Sequence, residues 1–233
     1  MMIHKFRYLI YGPLMLAFMS ACGGSSQQGA QAPETKDAAK SVQFKKHTLT
    51  NEFISEGVTV GDVDRDGNID VMAGAYWFKS PDWTRAEVFP GKAFDGAKGY
   101  SNSFINEGMD VNQDGWVDHV VIDFPGLIAH WYENPKDEPG HWKKHVIHPS
   151  VEVGNESPAF VDVDGDGRLD LLCADSKEKQ MVWLKAPTAG SDEPWTRFVI
   201  SEKGAPGTDR FSHGLGYGDV NKDGRNDVIV KQG

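Results

Sequence analysis

Four copies of one acidic nonapeptide restrict what this chain can fold into. The copies DVDRDGNID, DVNQDGWVD, DVDGDGRLD and DVNKDGRND span residues 62–70, 110–118, 162–170 and 219–227, and are called loops 1 to 4. Their starts are 48, 52 and 57 residues apart, a period typical of a repeat architecture with one supersecondary unit per repeat. Together they place 14 aspartates in short turns, which repel one another unless a cation lies among them.

Six of the seven tryptophans recur at two positions of the same repeat. The first position opens a W-x-x-x-P motif at Trp77, Trp131 and Trp183, and the second opens an aromatic–basic segment at Trp83, Trp142 and Trp195. Tryptophans at such regular spacing are expected to be core wedges between stacked units rather than ligand platforms.

The segments around these markers have the composition of β-strands. Runs such as GVTVGDV, VDHVVIDF and LDLLCAD are rich in β-branched and apolar residues and are bounded by turn residues. Each repeat therefore predicts four strands: strand A ends in the first aspartate, strand B starts at the last aspartate, and strands C and D carry the two tryptophans. Four-stranded units of about 50 residues are typical of propeller blades, so we predict an all-β protein with a β-propeller fold.

The acidic loops match the ligand preferences of calcium, which takes six to eight oxygens. The side-chain ligands predicted at positions 1, 3, 5 and 9 are Asp62, Asp64, Asp66, Asp70, Asp110, Asn112, Asp114, Asp118, Asp162, Asp164, Asp166, Asp170, Asp219, Asn221, Asp223 and Asp227. The position 7 residues Asn68, Trp116, Arg168 and Arg225 are expected to supply backbone carbonyls. Position 6 is always glycine, where the chain must turn back. We predict up to four structural Ca²⁺ ions that rigidify the turns between strands A and B.

Zinc, magnesium and helix-flanked calcium loops fit these nonapeptides less well. The proposed ligands include no cysteine or histidine, which argues against zinc, and magnesium would keep more water. An EF-hand needs glutamate at position 12 and flanking helices, whereas the flanks here are predicted strands and position 12 is Ala73, Val121, Cys173 or Val230. Dockerin-like loops lead into helices at a shorter repeat. A solvated acidic turn does not account for four copies with glycine at one place.

Composition and charge exclude some classes of function. The formal net charge is −10 and no basic stripe stands out, which argues against a nucleic-acid partner. Of the two cysteines, Cys173 lies in an apolar run and is expected to be a small core residue.

The first 22 residues form a predicted targeting segment. A basic n-region precedes an apolar stretch that is too short to span a bilayer. The following MSAC resembles a bacterial lipobox, in which Cys22 would carry the lipid; an ordinary signal peptide with a chance cysteine is the alternative. Residues 23–41 are poor in apolar residues and are predicted to be a flexible tether. We therefore expect a protein of the bacterial cell envelope, periplasmic or at the cell surface, held to the membrane by its lipid anchor.

These motifs resemble a known family. Aspartate loops between the first two strands of a blade look like FG-GAP (VCBS-type) repeats, as in integrin α-chain propellers and many bacterial secreted proteins. The likeness covers Phe44 to Gly233, so residues 42–233 are taken as one repeat domain. The segments GAYWFKSPDW, HWYENP, NESPAFVDVDGDG and SHGLGYGDVNKDGRND look like bacterial lipoprotein members, which are similar in turn to the propeller module of aldos-2-ulose dehydratase.

The repeats predict an incomplete ring. The segment FKKHTLT from Phe44 matches the strand D segment WKKHVIH from Trp142, and propellers close their ring with such an N-terminal strand. The last repeat stops at Gly233, just after strand B. We therefore expect three full blades and a partial fourth of a propeller that would be seven-bladed when complete, and a chain truncated at its C-terminus.

Ligand sites are expected on the face formed by the D–A loops, because binding sites favour concave mouths. Its candidate residues are Ser55, Glu56, Tyr100, Asn102, Asn106, Glu107, Asn155, Glu156, Arg210 and His213. Among them, Glu56, Glu156, His213, Arg210 and Tyr100 have the chemistry to bind a sugar or to transfer protons. The alternative is that they cap strand ends. His47 and His145 share one repeat position in strand D and are expected to be structural.

Two functions remain open from the sequence. The first is a non-catalytic, calcium-stabilised propeller that binds carbohydrate or protein at the cell envelope. The second is a sugar lyase or dehydratase with its site on the D–A face. A pure scaffold in an envelope complex is a third possibility.

Overall fold

A computed structural model of the chain describes residues 42–191 and 193–231. The chain divides into two units, residues 1–46 and 47–233; residues 42–46 of the first unit are exposed and have no regular secondary structure. The predicted targeting segment, Cys22 and tether lie outside the described residues. Within the described ranges, no helix is long and apolar enough to cross a membrane.

All regular elements of the described residues are β-strands. Blade 1 contains β1 (Thr59–Gly61), β2 (Asp70–Ala73), β3 (Tyr76–Lys79) and β4 (Thr84–Glu87). Blade 2 contains β5 (Ile105–Met109), β6 (Asp118–Ile122), β8 (His130–Glu133) and β9 (Lys143–Val146), with the short β7 (Leu127–Ile128) before β8. Blade 3 contains β11 (Ala159–Val161), β12 (Asp170–Asp175), β13 (Gln180–Lys185) and β14 (Thr196–Val199), preceded by the short β10 (Glu152–Val153). The partial blade 4 contains β15 (Gly216–Gly218) and β16 (Asp227–Ile229).

Each full blade is an antiparallel meander with strands A to D in sequence order; β10 also pairs with β12 and with β7 of blade 2. The acidic loops join strands A and B in one register, because the residue before each loop pairs with the ninth-position aspartate. The pairs are Gly61↔Asp70, Met109↔Asp118, Val161↔Asp170 and Gly218↔Asp227. This topology places loops 1 to 4 at one end of the blades and the B–C and D–A loops at the other, and the predicted all-β repeat fold is confirmed.

Strands β6 and β12 are buried on both faces because blades 2 and 3 are each packed between two neighbouring blades. In β12, Leu171 and Cys173 join a core shared with blade 2, whereas Leu172 and Ala174 pack towards Tyr217 of blade 4. Successive side chains of a strand point to opposite faces, so these contacts stack the blades in sequence order. The buried, unpaired Cys173 confirms its predicted core role.

Three of the six repeated tryptophans are buried as the predicted wedges, whereas Trp77, Trp83 and Trp183 are only partly buried and pack against the edges of the cores. Trp131 and Trp195 are buried in the core between blades 2 and 3, and Trp142 is buried in the core between blades 1 and 2. The backbone N–H of Trp142 donates to Val88 O at 2.8 Å, and that of Trp195 donates to Ile147 O at 2.7 Å. Each of these bonds links a strand D segment to the preceding blade.

His145 is also structural, as predicted. It is buried, its ring stacks on Trp131 with centroids 4.1 Å apart, and its Nε2 lies 2.9 Å from Glu133 Oε2.

The strand predicted from Phe44 is not present. Residues 42–52 form no strand, because an antiparallel strand needs a hydrogen-bonded neighbour and no described strand pairs with this segment. His47 still lies against Trp83, with ring centroids 5.7 Å apart, and Leu49 packs on the core of blade 1. Three complete blades and two strands of a fourth are therefore described, an incomplete propeller without a closed ring.

Candidate metal centres and ligand-binding face

The four acidic loops share one backbone conformation. The position 6 glycines are all left-handed, with φ of 86° at Gly67, 88° at Gly115, 86° at Gly167 and 86° at Gly224. Position 4 is left-handed as well, at Arg65, Gln113, Gly165 and Lys222. The turn at position 6 was predicted from the glycine. The left-handed turn at position 4 was not predicted. Gly165 was its one sequence signal, since only glycine adopts this conformation without steric cost.

The first aspartate of each loop holds this turn. Its Oδ2 accepts the N–H of the position 6 glycine in all four loops, at 3.1, 2.8, 2.8 and 2.9 Å in loops 1 to 4. In loops 2 to 4 its Oδ1 accepts the N–H of the position 5 aspartate. The carboxylate of the first aspartate therefore fixes the backbone of its own loop.

The ninth-position aspartate ties its loop to strand C. Asp118 accepts the N–H of Val111 at 2.9 Å and that of Asn134, the residue before the proline of W-x-x-x-P, at 2.8 Å. Asp70 and Asp170 make the same pair of bonds. Asp70, Asp118 and Asp170 are fully buried, and burial raises the pKa of Asp118 to about 7. These carboxylates have a structural role in each full blade; their predicted role as calcium ligands stays a prediction.

Two loops bring three carboxylates close together. Asp62, Asp64 and Asp70 in loop 1, and Asp162, Asp164 and Asp166 in loop 3, each offer an oxygen within 4.8 Å of the others. Asp62 Oδ1 and Asp64 Oδ1 are buried and accept no hydrogen bond. A desolvated carboxylate oxygen without a donor is costly, so a cation bound there would satisfy both. The donor set is all oxygen and fits calcium.

A strand C residue that the sequence analysis missed faces each loop of the full blades. Lys79 contacts Asp64, Lys185 contacts Asp164, and Glu133 Oε1 lies 3.3 Å from Asn112 Nδ2. These residues stand two positions after the strand C tryptophans, so the signal was the third letter of W-x-[KE].

On the opposite face, several predicted site residues cap strand ends or join blades. Glu56 Oε1 accepts the N–H of Ser101 at 2.9 Å, and Asn155 Oδ1 accepts that of Ala174 at 2.9 Å. Asn106 Oδ1 accepts the N–H of Gly74 at 3.1 Å, and Asn106 Nδ2 donates to Ser55 Oγ. These contacts favour the structural interpretation of Glu56, Asn106 and Asn155.

Two further candidates lie apart from any such network. Asn102 lines a cavity of about 80 Å³ beside Phe94. Glu107 lies on β5, and burial raises the pKa of its carboxyl.

Aromatic side chains from three loops meet on the D–A face. Tyr100, Phe104, Phe124 and Phe211, called the aromatic cluster, have neighbouring ring centroids 5.1 to 5.6 Å apart. The guanidinium of Arg210 lies 5.1 Å from the Phe124 ring centre and 4.8 Å from that of Phe211. Tyr100 is 65% exposed and Phe211 is 44% exposed. Only Tyr100 and Arg210 were predicted, because the phenylalanines carry no repeat signal.

A groove of about 210 Å³ borders this cluster and is lined by Arg210, Phe211, His213 and Lys231 among others. His213 Nε2 lies 3.1 Å from Glu156 Oε2, so two predicted site residues form an ion pair when the imidazole is protonated. The fold therefore brings Glu156 and His213 together, and places Tyr100 in the aromatic cluster with Arg210 packed against two of its other rings.

Comparison with known protein families supports the repeat architecture of the chain. The model of the FG-GAP-like repeat matches twice, over residues 110–173 and 162–230. No curated protein and no solved structure matches the chain, so the resemblance to the dehydratase propeller module has no support from these comparisons. Loop 1 lies outside the matched residues, yet it has the same turn as loops 2 to 4 and the same bond from the position 6 glycine to the first aspartate. The chain belongs to the FG-GAP-like repeat family.

Proposed function

We propose that this chain is a calcium-stabilised propeller module of the bacterial cell envelope that binds carbohydrate on its D–A face. The observation that carries the binding role is the exposed aromatic cluster with Arg210 stacked on it and a groove at its edge.

Calcium would be held by the side-chain oxygens at positions 1, 3, 5 and 9 and by the position 7 carbonyls. The buried, unpartnered oxygens of Asp62 and Asp64 support this assignment in loop 1. When bound, the ion supplies positive charge and cross-links the strand A and strand B ends of a loop. Because loops 1 to 4 lie at the end of the blades away from the D–A face, this role is structural.

Carbohydrate suits the D–A face for chemical reasons. Exposed aromatic rings pack on the apolar C–H faces of sugar rings, while a polar edge binds the hydroxyl groups. Tyr100 and Phe211 are the exposed rings, and the polar edge is Arg210 with the Glu156–His213 pair. The Arg210 guanidinium is already stacked on Phe124 and Phe211, which orders it before a ligand arrives.

The test is binding of the full chain, in calcium, to a panel of immobilised polysaccharides. Tyr100→Ala and Arg210→Met should each weaken binding by about tenfold, since such anchors contribute about 1–2 kcal/mol. Phe44→Ala is the matched control, because Phe44 is 93% exposed and lies outside the cluster. Equal binding by all three variants would contradict the proposed site. Capture of an envelope protein with no glycan binding would instead support the protein-binding alternative.

A sugar lyase or dehydratase is a second candidate, and the Glu156–His213 pair is the observation that favours it. A carboxylate beside an imidazole fixes its tautomer and supports proton abstraction. In that case His213→Ala should abolish formation of unsaturated product, while glycan binding through Tyr100 and Arg210 is retained. Absence of product with the parent chain on every bound glycan would leave the binding role alone.

The envelope location is proposed from the sequence of residues 1–41. Lipid attachment at Cys22 predicts that the chain sediments with membranes of a bacterial host. Cys22→Ser should move it to the soluble fraction, and an unchanged distribution would contradict the anchor.

A further inference from the structure

The residue two positions after each strand C tryptophan lies against the acidic loop of its own blade. The three residues at this position are Lys79, Glu133 and Lys185. The residue type at this position varies with the residue at position 3 of the loop. Lysine contacts aspartate in blades 1 and 3, whereas glutamate contacts asparagine in blade 2.

In blade 1 the ammonium of Lys79 lies among the loop carboxylates. Its Nζ contacts Asp64 Oδ2 and lies 3.5 Å from Asp66 Oδ2. The other oxygen of Asp64 is buried and has no hydrogen-bond partner. The lysine therefore neutralises one side of Asp64 and leaves the other side unsatisfied.

Blade 3 repeats this arrangement. Lys185 Nζ contacts Asp164 Oδ2 and lies 3.1 Å from Asp166 Oδ2. Arg168 Nη2 also lies 2.9 Å from Asp166 Oδ2. Lys185 is 28% exposed, so its charge is partly shielded from solvent.

Blade 2 carries a negative side chain where blades 1 and 3 carry a lysine. Glu133 stands at the lysine position, with Oε1 3.3 Å from Asn112 Nδ2 and Oε2 2.9 Å from His145 Nε2. Lys136, three residues further along the chain, lies 3.2 Å from Asp114 Oδ2 and is 48% exposed. No lysine bridges positions 3 and 5 of loop 2 in the described structure.

We propose that Lys79 and Lys185 are tethered counter-cations that hold loops 1 and 3 folded without metal and compete with calcium for the same carboxylates. This inference rests on the calcium part of the proposed function. An ammonium that bridges two carboxylates offsets their repulsion, but a divalent ion in the same loop meets it as a like charge. The two lysines therefore lower both the need of loops 1 and 3 for calcium and their affinity for it.

The test compares the full chain with Lys79→Met/Lys185→Met, because methionine keeps an unbranched side chain of similar length without the charge. In EDTA the double variant should melt at a lower temperature than the parent. Its rise in melting temperature on adding calcium should be larger. Calorimetric titration should show two sites that bind calcium about tenfold more tightly than in the parent, the effect of one partly screened unit charge.

Two controls separate charge from packing. Lys98→Met removes an exposed lysine that pairs with Asp95 at 2.8 Å, outside the acidic loops, and should leave the calcium response unchanged. Lys79→Arg/Lys185→Arg keeps both charges and should melt in EDTA like the parent.

The outcomes distinguish this inference from the calcium proposal itself. A parent-like melting temperature and calcium affinity in the methionine variant would overturn the counter-cation role while leaving calcium binding intact. Failure of that variant to fold even at saturating calcium would also overturn it, because calcium should replace the lost charges. Absence of any calcium response in parent and variant alike would refute the calcium proposal, and the inference with it.

Discussion

His119 should make the fold sensitive to acid. It lies on β6, is fully buried between blades 1 and 2, and its Nε2–H donates to Gly74 O at 3.0 Å. Its Nδ1 is buried and has no hydrogen-bond partner. A second proton would have to reside on that nitrogen, so burial lowers the pKa of His119 from 6.5 to about 4.

The sign and size of the effect follow from proton linkage. The unfolded chain binds a proton at His119 near its ordinary pKa of 6.5, whereas the folded chain does not until about pH 4. The stabilising contribution is present above pH 6.5 and is lost as the pH falls towards 4. Between pH 7 and pH 5 the loss is about 2 kcal/mol, and it reaches about 3 kcal/mol at pH 4.

The assay is urea unfolding at pH 7 and pH 5, in EDTA, for the parent and for His119→Gln. Glutamine keeps a donor for Gly74 O and does not titrate. Between pH 7 and pH 5 the free energy of unfolding should therefore fall by about 2 kcal/mol less in the variant than in the parent. Burial raises the pKa of neighbouring Asp118 to about 7, so this carboxyl adds to the stability of the fold as the pH falls. Both proteins retain Asp118, so its contribution cancels in the comparison.

His141→Gln is the matched control. His141 is 47% exposed and pairs with Glu87, so its replacement should leave the parent's acid sensitivity in place. Equal losses by the parent and His119→Gln would refute the claim that the fold keeps His119 neutral.

Three further predictions concern the loops and the core. Asp170→Asn should lower the free energy of unfolding in EDTA by about 2 kcal/mol, measured in urea, because an amide nitrogen cannot accept the N–H groups that Asp170 accepts; a change within error would contradict this. Gly167→Ala should cost about 1 kcal/mol in the same assay, from backbone strain at φ 86° alone, since nothing lies within 4 Å of the added Cβ; a stabilised variant would contradict it. In a Cys22→Ala background, Cys173 should stay unreactive towards a thiol probe until the chain unfolds, because it is fully buried and burial raises the pKa of its thiol; rapid labelling of the folded chain would contradict it.

Local repetition made most of the fold predictable. The aspartate loops, the W-x-x-x-P motif and the strand D tryptophans mark the same positions in each repeat, so strands A to D could be placed from residues close in sequence. The strand predicted from Phe44 shows the limit of this reasoning. Its sequence matches strand D, but a strand also needs a neighbouring strand to pair with, which the pattern of one segment does not provide.

The candidate sites were predictable only where their chemistry is repeated. The loop aspartates were found because they recur, whereas the aromatic cluster combines Tyr100, Phe124 and Phe211 from separate loops. Lys79 and Glu133 occupy one repeat position with opposite charge. Their spacing from the strand C tryptophan marks them as one repeat position, but their contact with the loop emerges only when strand C is placed beside it.

The measurement that tests the central claim most directly is the melting temperature of the full chain in EDTA, then in calcium, and then in equimolar magnesium. The clustered loop carboxylates, which Lys79 and Lys185 neutralise only in part, and the unpartnered oxygens of Asp62 and Asp64 predict a lower melting temperature in EDTA, which calcium restores and magnesium does not. An identical melting temperature in all three conditions would contradict calcium stabilisation of this propeller.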